Sequence, residues 1–173
     1  MTTTDTLKEQ IRSAFTAVKY PGDKNLRGSD QGDEPFMVEH DFYGKSDWRV
    51  LSPEFIDSAP SGLGSALSFF SDSAFRFYLP AYLLADIDGK LERSDPVFHL
   101  THGFDRRSRQ ERINPKAANE RTGRDYARER FSSFTRDEAA AIVGYLEFKS
   151  ATDDLARDTI DEALLDYWYE RAA

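Results

Sequence analysis

The chain has 173 residues, no cysteine and a net charge of −8 at pH 7. The length fits one domain, and the missing cysteines exclude disulfides, thiolate metal sites and cysteine nucleophiles. The acidic balance argues against a surface that binds nucleic acid or anionic lipid throughout. The first ten residues lack a basic region followed by an apolar run, so we expect a cytoplasmic protein without a signal peptide.

The N-terminal residues 5–20 are predicted to form an amphipathic helix. Thr6 and Glu9 have the spacing of a capping box, in which each side chain satisfies a backbone N–H at the start of a helix. Pro21-Gly22 then ends the pattern. The apolar residues recur on one stripe that we expect to face the core: Leu7, Ile11, Ala14, Phe15 and Val18.

The stretch that follows carries weaker signals. Residues 22–35 are rich in glycine and aspartate and predict a loop. Residues 36–51 mix aromatic residues with charges at no helical period, so we expect irregular or short extended structure, with Trp48 anchored in the core. Ser52 and Pro53 then have the features of a helix start, because a capping hydroxyl precedes a proline in the first turn.

Residues 69–87 hold thirteen apolar or aromatic side chains among nineteen and are the densest apolar stretch of the chain. Apolar residues cover every side of a helix drawn through them, and a helix of that kind is buried. The longest run without a charge is nine residues, which is too short for a membrane span of about twenty. We therefore predict a central core helix with the buried residues Phe75, Tyr78, Leu79, Pro80, Tyr82 and Leu83.

Pro80 leaves two alternatives for this central helix. Proline removes one backbone hydrogen bond and clashes with the carbonyl four residues earlier, so either one kinked helix continues through it or two helices meet there. The apolar pattern continues on both sides without turn residues, which favours one kinked helix. Asp88-Gly89 is predicted to end it, because glycine readily adopts the left-handed conformation of a helix C-terminus.

The three histidines of the chain are the imidazoles available for a metal site. His99 and His102 lie three residues apart with Asp105 nearby, whereas His40 is distant in sequence. A pair at this spacing without a second ligand motif is more typical of surface or hydrogen-bonded histidines than of a metal site. We therefore expect neither a metal nor a cofactor.

Residues 105–130 contain nine basic and five acidic side chains, whereas the other 147 residues carry a net charge of −12. Asn114-Pro115 and Thr122-Gly123 interrupt any helix here, and two interpretations stay open. The segment is a mobile, solvated excursion, or it is an arginine-rich surface for phosphate or carboxylate groups. The candidate binding residues are Arg106, Arg107, Arg109, Arg112, Arg124, Tyr126, Arg128 and Arg130.

Two helices are predicted to complete the chain. Thr135 and Glu138 have the spacing of a second capping box, for a helix that ends near Lys149. Thr152 is expected to cap a last helix, whose outer face is acidic. That face is either solvated or a docking face for the chain's own arginine segment. Its carboxylates belong to Asp153, Asp154, Asp158, Asp161, Glu162, Asp166 and Glu170.

The order of these motifs resembles that of a bacterial family known only as a domain of unknown function. The most specific element is Tyr78 to Leu83, which reads Tyr-Leu-Pro-Ala-Tyr-Leu. Phe42-Tyr43-Gly44 and Trp48 precede it, and Ala163-Leu164 with Trp168 follow near the C-terminus. The resemblance spans nearly the whole chain. It implies a small, mainly helical bacterial protein and brings no activity, cofactor or catalytic residue.

These predictions combine into a mainly α fold, a single-domain orthogonal helical bundle (residues 1–173) with long irregular loops and with Trp48 and Trp168 in its core. We expect a non-enzymatic partner-binding or regulatory protein outside the membrane, whose partner is another protein and whose oligomeric state stays open. One alternative is a nucleic-acid or phosphate ligand on the arginine segment, which the net charge disfavours. The other is an enzyme with acid–base residues near the aromatic core: Tyr82, Asp86 and His99.

Overall fold

The computed structural model describes residues 3–58, 65–112 and 121–173, and these residues are mainly helical, with no strand among them. The predicted mainly α class is therefore confirmed. Contacts divide the chain into two compact units, Met1–Pro96 and Val97–Ala173. The single domain expected for residues 1–173 stays a prediction.

The described part of the first unit combines helices with loops and single turns. The helices in its described part are α1 (Thr3–Phe15), α2 (Glu34–Phe42), α3 (Pro53–Ser58) and α4 (Asp72–Ile87), and α5 (Pro96–Thr101) begins at its last residue. Single turns of 3₁₀ helix lie at Asp23–Asn25, Trp48–Val50 and Ala66–Ser68. Helix α3 begins as predicted, because the Ser52 hydroxyl accepts a hydrogen bond from the N–H of Phe55 at 3.2 Å.

Helix α4 passes through Pro80 without a break. The alternative in which two helices meet at this proline is therefore wrong. The helix begins where the Ser71 hydroxyl accepts a hydrogen bond from the N–H of Ala74 at 3.1 Å. This bond satisfies one of the donors that a helix leaves unpaired in its first turn.

The C-terminal end of α4 closes at Asp88-Gly89, as the sequence predicts. Gly89 adopts a left-handed conformation with φ +66°. Its N–H bonds to the carbonyl of Asp86, and the N–H of Lys90 bonds to the carbonyl of Ala85, both at 2.9 Å. The two bonds satisfy carbonyls that the last helical turn would otherwise leave unpaired.

The six core residues predicted on α4 are all buried. The hydroxyl of Tyr78 donates to the carbonyl of Lys45 at 2.8 Å, and that of Tyr82 donates to the carbonyl of Ile56 at 3.1 Å. The buried phenols are therefore paired as well as packed. Helices α1 and α3 and the turn that carries buried Trp48 pack against α4, so α4 is the central element of the first unit.

Two predictions for the N-terminal helix are wrong. Helix α1 spans Thr3–Phe15, so Thr6 lies inside the helix and is not its cap. The helix also ends five residues before the predicted residue 20. Its buried residues are nevertheless members of the predicted stripe: Leu7, Ile11 and Phe15.

The irregular structure predicted for residues 36–51 is wrong for residues 36–42, because Glu34–Phe42 forms helix α2. A proline in the first turn starts this helix, as proline commonly does. Its inward residues are Pro35, Val38 and Phe42, whose three- and four-residue spacing is helical. Exposed apolar residues at neighbouring positions conceal that period in the sequence.

The second unit consists of short and long helices in succession. After α5, which lies in this unit from Val97 on, its described part contains α6 (Gly123–Phe131), α7 (Arg136–Thr152), α8 (Arg157–Ala163), a π-helical turn (Leu164–Trp168) and α9 (Tyr169–Ala172). Helix α7 packs against α8 and α9. Across the described parts of both units, no helix combines the length and the hydrophobicity that a membrane span requires.

The capping box at the start of α7 is confirmed. The Thr135 hydroxyl accepts the N–H of Glu138, and the Glu138 carboxylate accepts the N–H of Thr135, both at 3.2 Å. Thr152 is the last residue of α7, so its predicted role as the cap of the next helix is wrong. The turn that follows is held by Asp153, whose carboxylate accepts two backbone N–H groups.

The prediction of an irregular excursion at residues 105–130 is wrong for its last third. There Thr122 and Asp125 form a reciprocal capping box, and α6 follows directly. Gly123 is thus the first residue of a helix and does not interrupt one. Residues 113–120 lie outside the described part of the chain.

Trp168 is fully buried and lies at the centre of the second unit's core. Its indole N–H donates to the carbonyl of Leu100 at 2.8 Å. Nearby, the rings of Phe104 and Tyr167 stack with their centroids 4.3 Å apart. The rings that surround the indole are those of Phe104, Phe131, Phe134 and Tyr167.

Candidate binding site

A tight turn before α6 presents the first arginines of the basic segment. The carboxylate of Asp105 accepts the N–H groups of Arg107 and Ser108 at 2.9 and 3.1 Å, together with the Ser108 hydroxyl. The Ser108 oxygen in turn accepts the N–H of Gly103 at 2.7 Å. Burial acts to raise the pKa of Asp105, but these hydrogen bonds outweigh burial and lower it. Arg106 and Arg107 are therefore exposed on a well-braced turn.

The start of α6 lies in backbone contact with this turn. A Cβ on Gly123 would lie 2.5 Å from the carbonyl oxygen of Ser108. A Cβ on Gly103, which has φ +94°, would lie 2.6 Å from the carbonyl oxygen of Gly123. Glycine allows this close approach. The two ends of the arginine-rich segment are therefore held together through the backbone, and the N–H of Gly123 also bonds to the carbonyl of Glu111 at 2.8 Å.

The arginines of this segment meet the acidic side chains of the last helical run. The ion pairs are Arg106–Glu162 (3.4 Å), Arg109–Asp166 (3.9 Å), Arg124–Asp166 (2.9 Å) and Arg128–Glu170 (3.9 Å). We call this set the arginine–acid contact. Four of the seven arginines predicted as binding residues therefore face the chain's own carboxylates. This arrangement matches the alternative in which the acidic face docks the chain's own arginine segment.

Asp166 is the centre of the arginine–acid contact. Its side chain is 14% exposed, whereas that of Glu170 is 81% exposed. It lies in the π-helical turn, beside the buried rings of Tyr167 and Trp168. The same turn therefore supplies two aromatic rings to the core and one carboxylate to the arginines. Turns of this type are rare in helices and are frequent at functional sites.

The other predicted arginines lie outside this contact. Arg107 is exposed and forms no ion pair with the residues that the structure describes. Arg112 forms an isolated backbone bridge with Thr122. Arg130 lies close enough to His99 to affect its protonation. Arg107 is thus a predicted binding residue whose guanidinium forms no ion pair within the described parts of the chain.

Two cavities of the second unit share the side chains of Phe98 and His102, and we call them the paired cavity. The larger has a volume of about 590 Å³, and its lining includes the polar side chains of Arg106, Arg107, Gln110 and Glu111. The smaller has a volume of about 200 Å³ and is mainly apolar, with Tyr126, Ala127 and Phe131 in its lining. Phe98 is 51% exposed where the two meet.

Tyr126 is one of the predicted binding residues, and its ring is already covered on one side. The guanidinium of Arg121 lies 4.2 Å from the ring centroid, which is a favourable cation–π distance. Arg121 also pairs with Glu129. The ring remains 40% exposed and lines the smaller cavity.

The histidines of the paired cavity differ in their surroundings. Burial lowers the pKa of His99 to about 4, and the positive charges of Arg130 and His102 act in the same direction. His99 is therefore neutral at pH 7. The Nε2 atom of His102 lies 3.9 Å from the carboxylate of Glu111. Among the described residues, no group of three or more His, Cys, Asp or Glu side chains could hold a metal ion.

The residues considered for acid–base catalysis fall in both units. Tyr82 and Asp86 lie on α4 in the first unit, and His99 lies on α5 in the second. Burial raises the pKa of the Tyr82 hydroxyl far above its ordinary value, and that hydroxyl already donates to a backbone carbonyl. Tyr82 is thus unsuited to proton transfer near neutral pH.

A family model described as a family of unknown function, DUF6714, matches residues 3–172. The chain belongs to the DUF6714 family. The resemblance to a family defined as a domain of unknown function is therefore confirmed over almost the whole length. No curated protein and no solved structure matches this DUF6714 chain.

Sequence reasoning missed two residues that organise the site of this DUF6714 protein. Phe98 directly precedes His99, and a single exposed aromatic residue gives no periodic signal. Asp166 is one of seven carboxylates on the acidic face, and spacing alone does not single it out. The π-helical turn that sets Asp166 apart has no sequence signature of its own.

Proposed function

We propose that this DUF6714 protein is a non-enzymatic partner-binding module of the bacterial cytoplasm, and that its paired cavity receives a segment of another protein. The segment places an apolar or aromatic side chain against Phe98 and in the smaller cavity. It places a carboxylate against the guanidinium of Arg107. The observation that carries the proposal is the combination of this exposed ring with an arginine that has no ion-pair partner in the described chain.

Both side chains have the properties of binding anchors. Aromatic residues and arginine dominate the energetics of protein interfaces, because they fill pockets and lose their hydration together. A ring that is 51% exposed has much apolar area to bury in a complex. The guanidinium group binds a carboxylate through two parallel hydrogen bonds. The braced turn at Asp105 reduces the entropy that binding would otherwise cost.

Binding of nucleic acid or of another phosphate ligand has weaker support. Four arginines of the segment lie beside carboxylates in the arginine–acid contact. A phosphate ligand would have to displace these carboxylates and approach a chain of net charge −8. An enzyme also has weaker support, because the Asp105 carboxylate and the Ser108 hydroxyl are committed to the fold of the turn.

The test uses the full chain and a random library of twelve-residue peptides. Bound peptides are expected to be enriched in an aromatic or aliphatic residue next to Asp or Glu. Phe98→Ser and Arg107→Gln should each weaken the recovered peptides about tenfold or more, as for interface anchors. Arg93→Gln, which removes an exposed arginine of the first unit, should leave their affinity unchanged.

Three results would contradict the proposal. The first is a library that yields no enriched motif or a basic one. The second is a pair of variants, Phe98→Ser and Arg107→Gln, that bind the recovered peptides as the parent chain does. The third is tight binding of single- or double-stranded oligonucleotides at about 50 mM salt that falls steeply at about 200 mM, because that response is characteristic of phosphate recognition.

A further inference from the structure

The outward side of the last helical run has a feature that the paired cavity does not use. Asp158, Asp161, Leu165 and Tyr169 recur at three- or four-residue intervals, and all four are exposed. We call them the acid–apolar stripe. Leu165 is 77% exposed and Tyr169 is 42% exposed. The opposite side of the run is buried through Ile160, Ala163, Leu164, Tyr167 and Trp168.

The stripe borders helix α7, which adds a third carboxylate. The Tyr169 hydroxyl donates to the carboxylate of Glu147 at 3.1 Å. Similarly, the Ser150 hydroxyl donates to Asp161 at 2.7 Å. Leu165 is therefore an exposed leucine on a run that hydrogen bonds join to α7 at Asp161 and at Tyr169. An apolar patch with a polar rim of this kind is typical of an interaction site.

The carboxylates of the last helical run and of the bordering part of α7 fall into two classes. Those in the arginine–acid contact face guanidinium groups of the same unit. By contrast, Asp158, Asp161 and Glu147 form no ion pair with any residue in the described parts of the chain. The carboxylates on this side therefore lack a direct ion-pair partner among the described residues, whereas those on the adjoining side have one.

We propose that the acid–apolar stripe docks a basic amphipathic segment of another protein. Apolar side chains of that segment, one helical turn apart, cover Leu165 and Tyr169, which is how a helix contacts a partner surface. Its lysine or arginine side chains face Asp158, Asp161 and Glu147, so the charges of the two surfaces are complementary. This surface is independent of the paired cavity, and neither proposal depends on the other.

A second copy of the chain is a poorer occupant of the stripe. Its basic residues are concentrated in residues 105–130, and four of these arginines already face carboxylates in the arginine–acid contact. Nucleic acid is excluded as an occupant, because its phosphates carry the same sign of charge as the stripe. A basic protein segment is the occupant whose chemistry fits both the carboxylates and the exposed leucine.

The experiment measures the binding of two labelled peptides to the full chain by fluorescence anisotropy in about 150 mM salt. One peptide carries lysine and leucine at helical spacing, so that the leucines form one face. The second has the same composition, with the leucines distributed around the helix. The peptide with an apolar face should bind about tenfold more tightly, because only that face buries Leu165 and Tyr169 together.

Variants then assign the binding to the stripe. Leu165→Ser should weaken the peptide with the apolar face about tenfold or more. The double variant Asp158→Asn and Asp161→Asn should weaken it several-fold and flatten its salt dependence. Val50→Ser is the matched control, because Val50 is also 77% exposed but lies in the first unit. This control should bind as the parent chain does.

Equal binding of the two peptides would overturn the proposal, because it would mean that charge alone attracts them. Unchanged binding by Leu165→Ser would overturn it as well. Sedimentation that shows self-association of the chain, abolished by Leu165→Ser, would assign the stripe to a second copy instead. Circular dichroism of each variant verifies the fold, which these surface changes should leave intact.

Discussion

The two units of the chain are stabilised in different ways. The first is organised around α4, whose aromatic and aliphatic side chains are buried on all sides. The second has its own aromatic core around Trp168, but the described part of its arginine-rich segment is held by backbone contact at Gly123 and by the arginine–acid contact. In the first unit, burial of apolar area contributes most of the stabilisation. In the second, particular partners far apart in sequence matter as well.

The two units also differ in their net charge. The first has ten basic and sixteen acidic side chains, a net charge of −6, and the second has thirteen and fifteen, a net charge of −2. The second unit is thus the more nearly neutral, although it contains both the most basic segment and the acidic helical run. The difference teaches that a strongly charged segment can be part of a fold and need not be a binding surface.

The chain offers one tryptophan in each unit, Trp48 and Trp168, and both are buried. The single variants Trp48→Phe and Trp168→Phe therefore give fluorescence signals that report on one unit each. Urea unfolding of the two backgrounds shows which unit a given substitution weakens. The following predictions use this readout, and they are ordered from the largest expected effect to the smallest.

Leu83→Ala should destabilise the first unit by about 2–5 kcal/mol, because Leu83 is fully buried on α4 and alanine leaves a cavity there. The loss should appear in the fluorescence of Trp48. Leu155→Ala is the control, since Leu155 is 99% exposed, and its effect should lie within about 0.5 kcal/mol. A loss below about 1 kcal/mol for Leu83→Ala would contradict the central position of α4.

Gly123→Ala should destabilise the second unit by about 1–3 kcal/mol, a typical cost of overpacking. The added methyl group would lie 2.5 Å from the carbonyl oxygen of Ser108, which is part of a braced backbone turn and cannot easily move. The fluorescence of Trp168 should report the loss. A neutral or stabilising result, as expected for alanine at an ordinary helical position, would show that this backbone contact is absent.

Asp166→Asn should destabilise the second unit by about 1–2 kcal/mol, between the values for exposed and buried ion pairs. The change removes the charge that lies 2.9 Å from Arg124 and 3.9 Å from Arg109. The difference between the variant and the parent chain should shrink as salt is raised. Asp154→Asn is the control, because Asp154 is 85% exposed, and it should have almost no effect.

The smallest effect is expected from His99, which retains partial contact with solvent. Burial lowers its pKa to about 4, whereas an unfolded histidine titrates near 6.5. Between these two pH values the unfolded chain binds more protons at this position than the folded chain does. The stability that neutral His99 contributes is therefore complete above about pH 6.5 and is lost as the pH falls towards 4. His99→Gln should flatten the pH dependence of Trp168-reported stability in this window, and His40→Gln should not.

The parts of the fold that the sequence predicts correctly have local signals. Helix α4 follows from its apolar density and from Gly89 at its end, and α7 follows from the reciprocal spacing of Thr135 and Glu138. Helix α2 was missed, because its inward residues alternate with exposed apolar ones. Local patterns therefore identify elements when burial and periodicity agree, and they fail when exposed residues are apolar too.

The candidate site was predictable only in part. The sequence names the arginine segment and the acidic helical run as possible partners, but it does not show which arginine meets which carboxylate. The turn at Asp105 and Ser108 leaves Arg107 without an ion pair among the described residues. Phe98 is exposed beside this turn. These are contacts in three dimensions, and no periodicity in the chain reports them.

The π-helical turn at Leu164–Trp168 bears on how the chain can vary in length. A turn with i to i+5 hydrogen bonds holds one residue more than an α-helical turn. Deletion of Leu165 would therefore convert the turn to ordinary α-helix. The buried faces of α8 and α9 would stay on the same side of the run. Deletion of one residue within α7 would instead rotate every later residue of that helix by about 100° about the helix axis. Among DUF6714 proteins, single-residue insertions and deletions in the C-terminal run should accordingly concentrate at this turn.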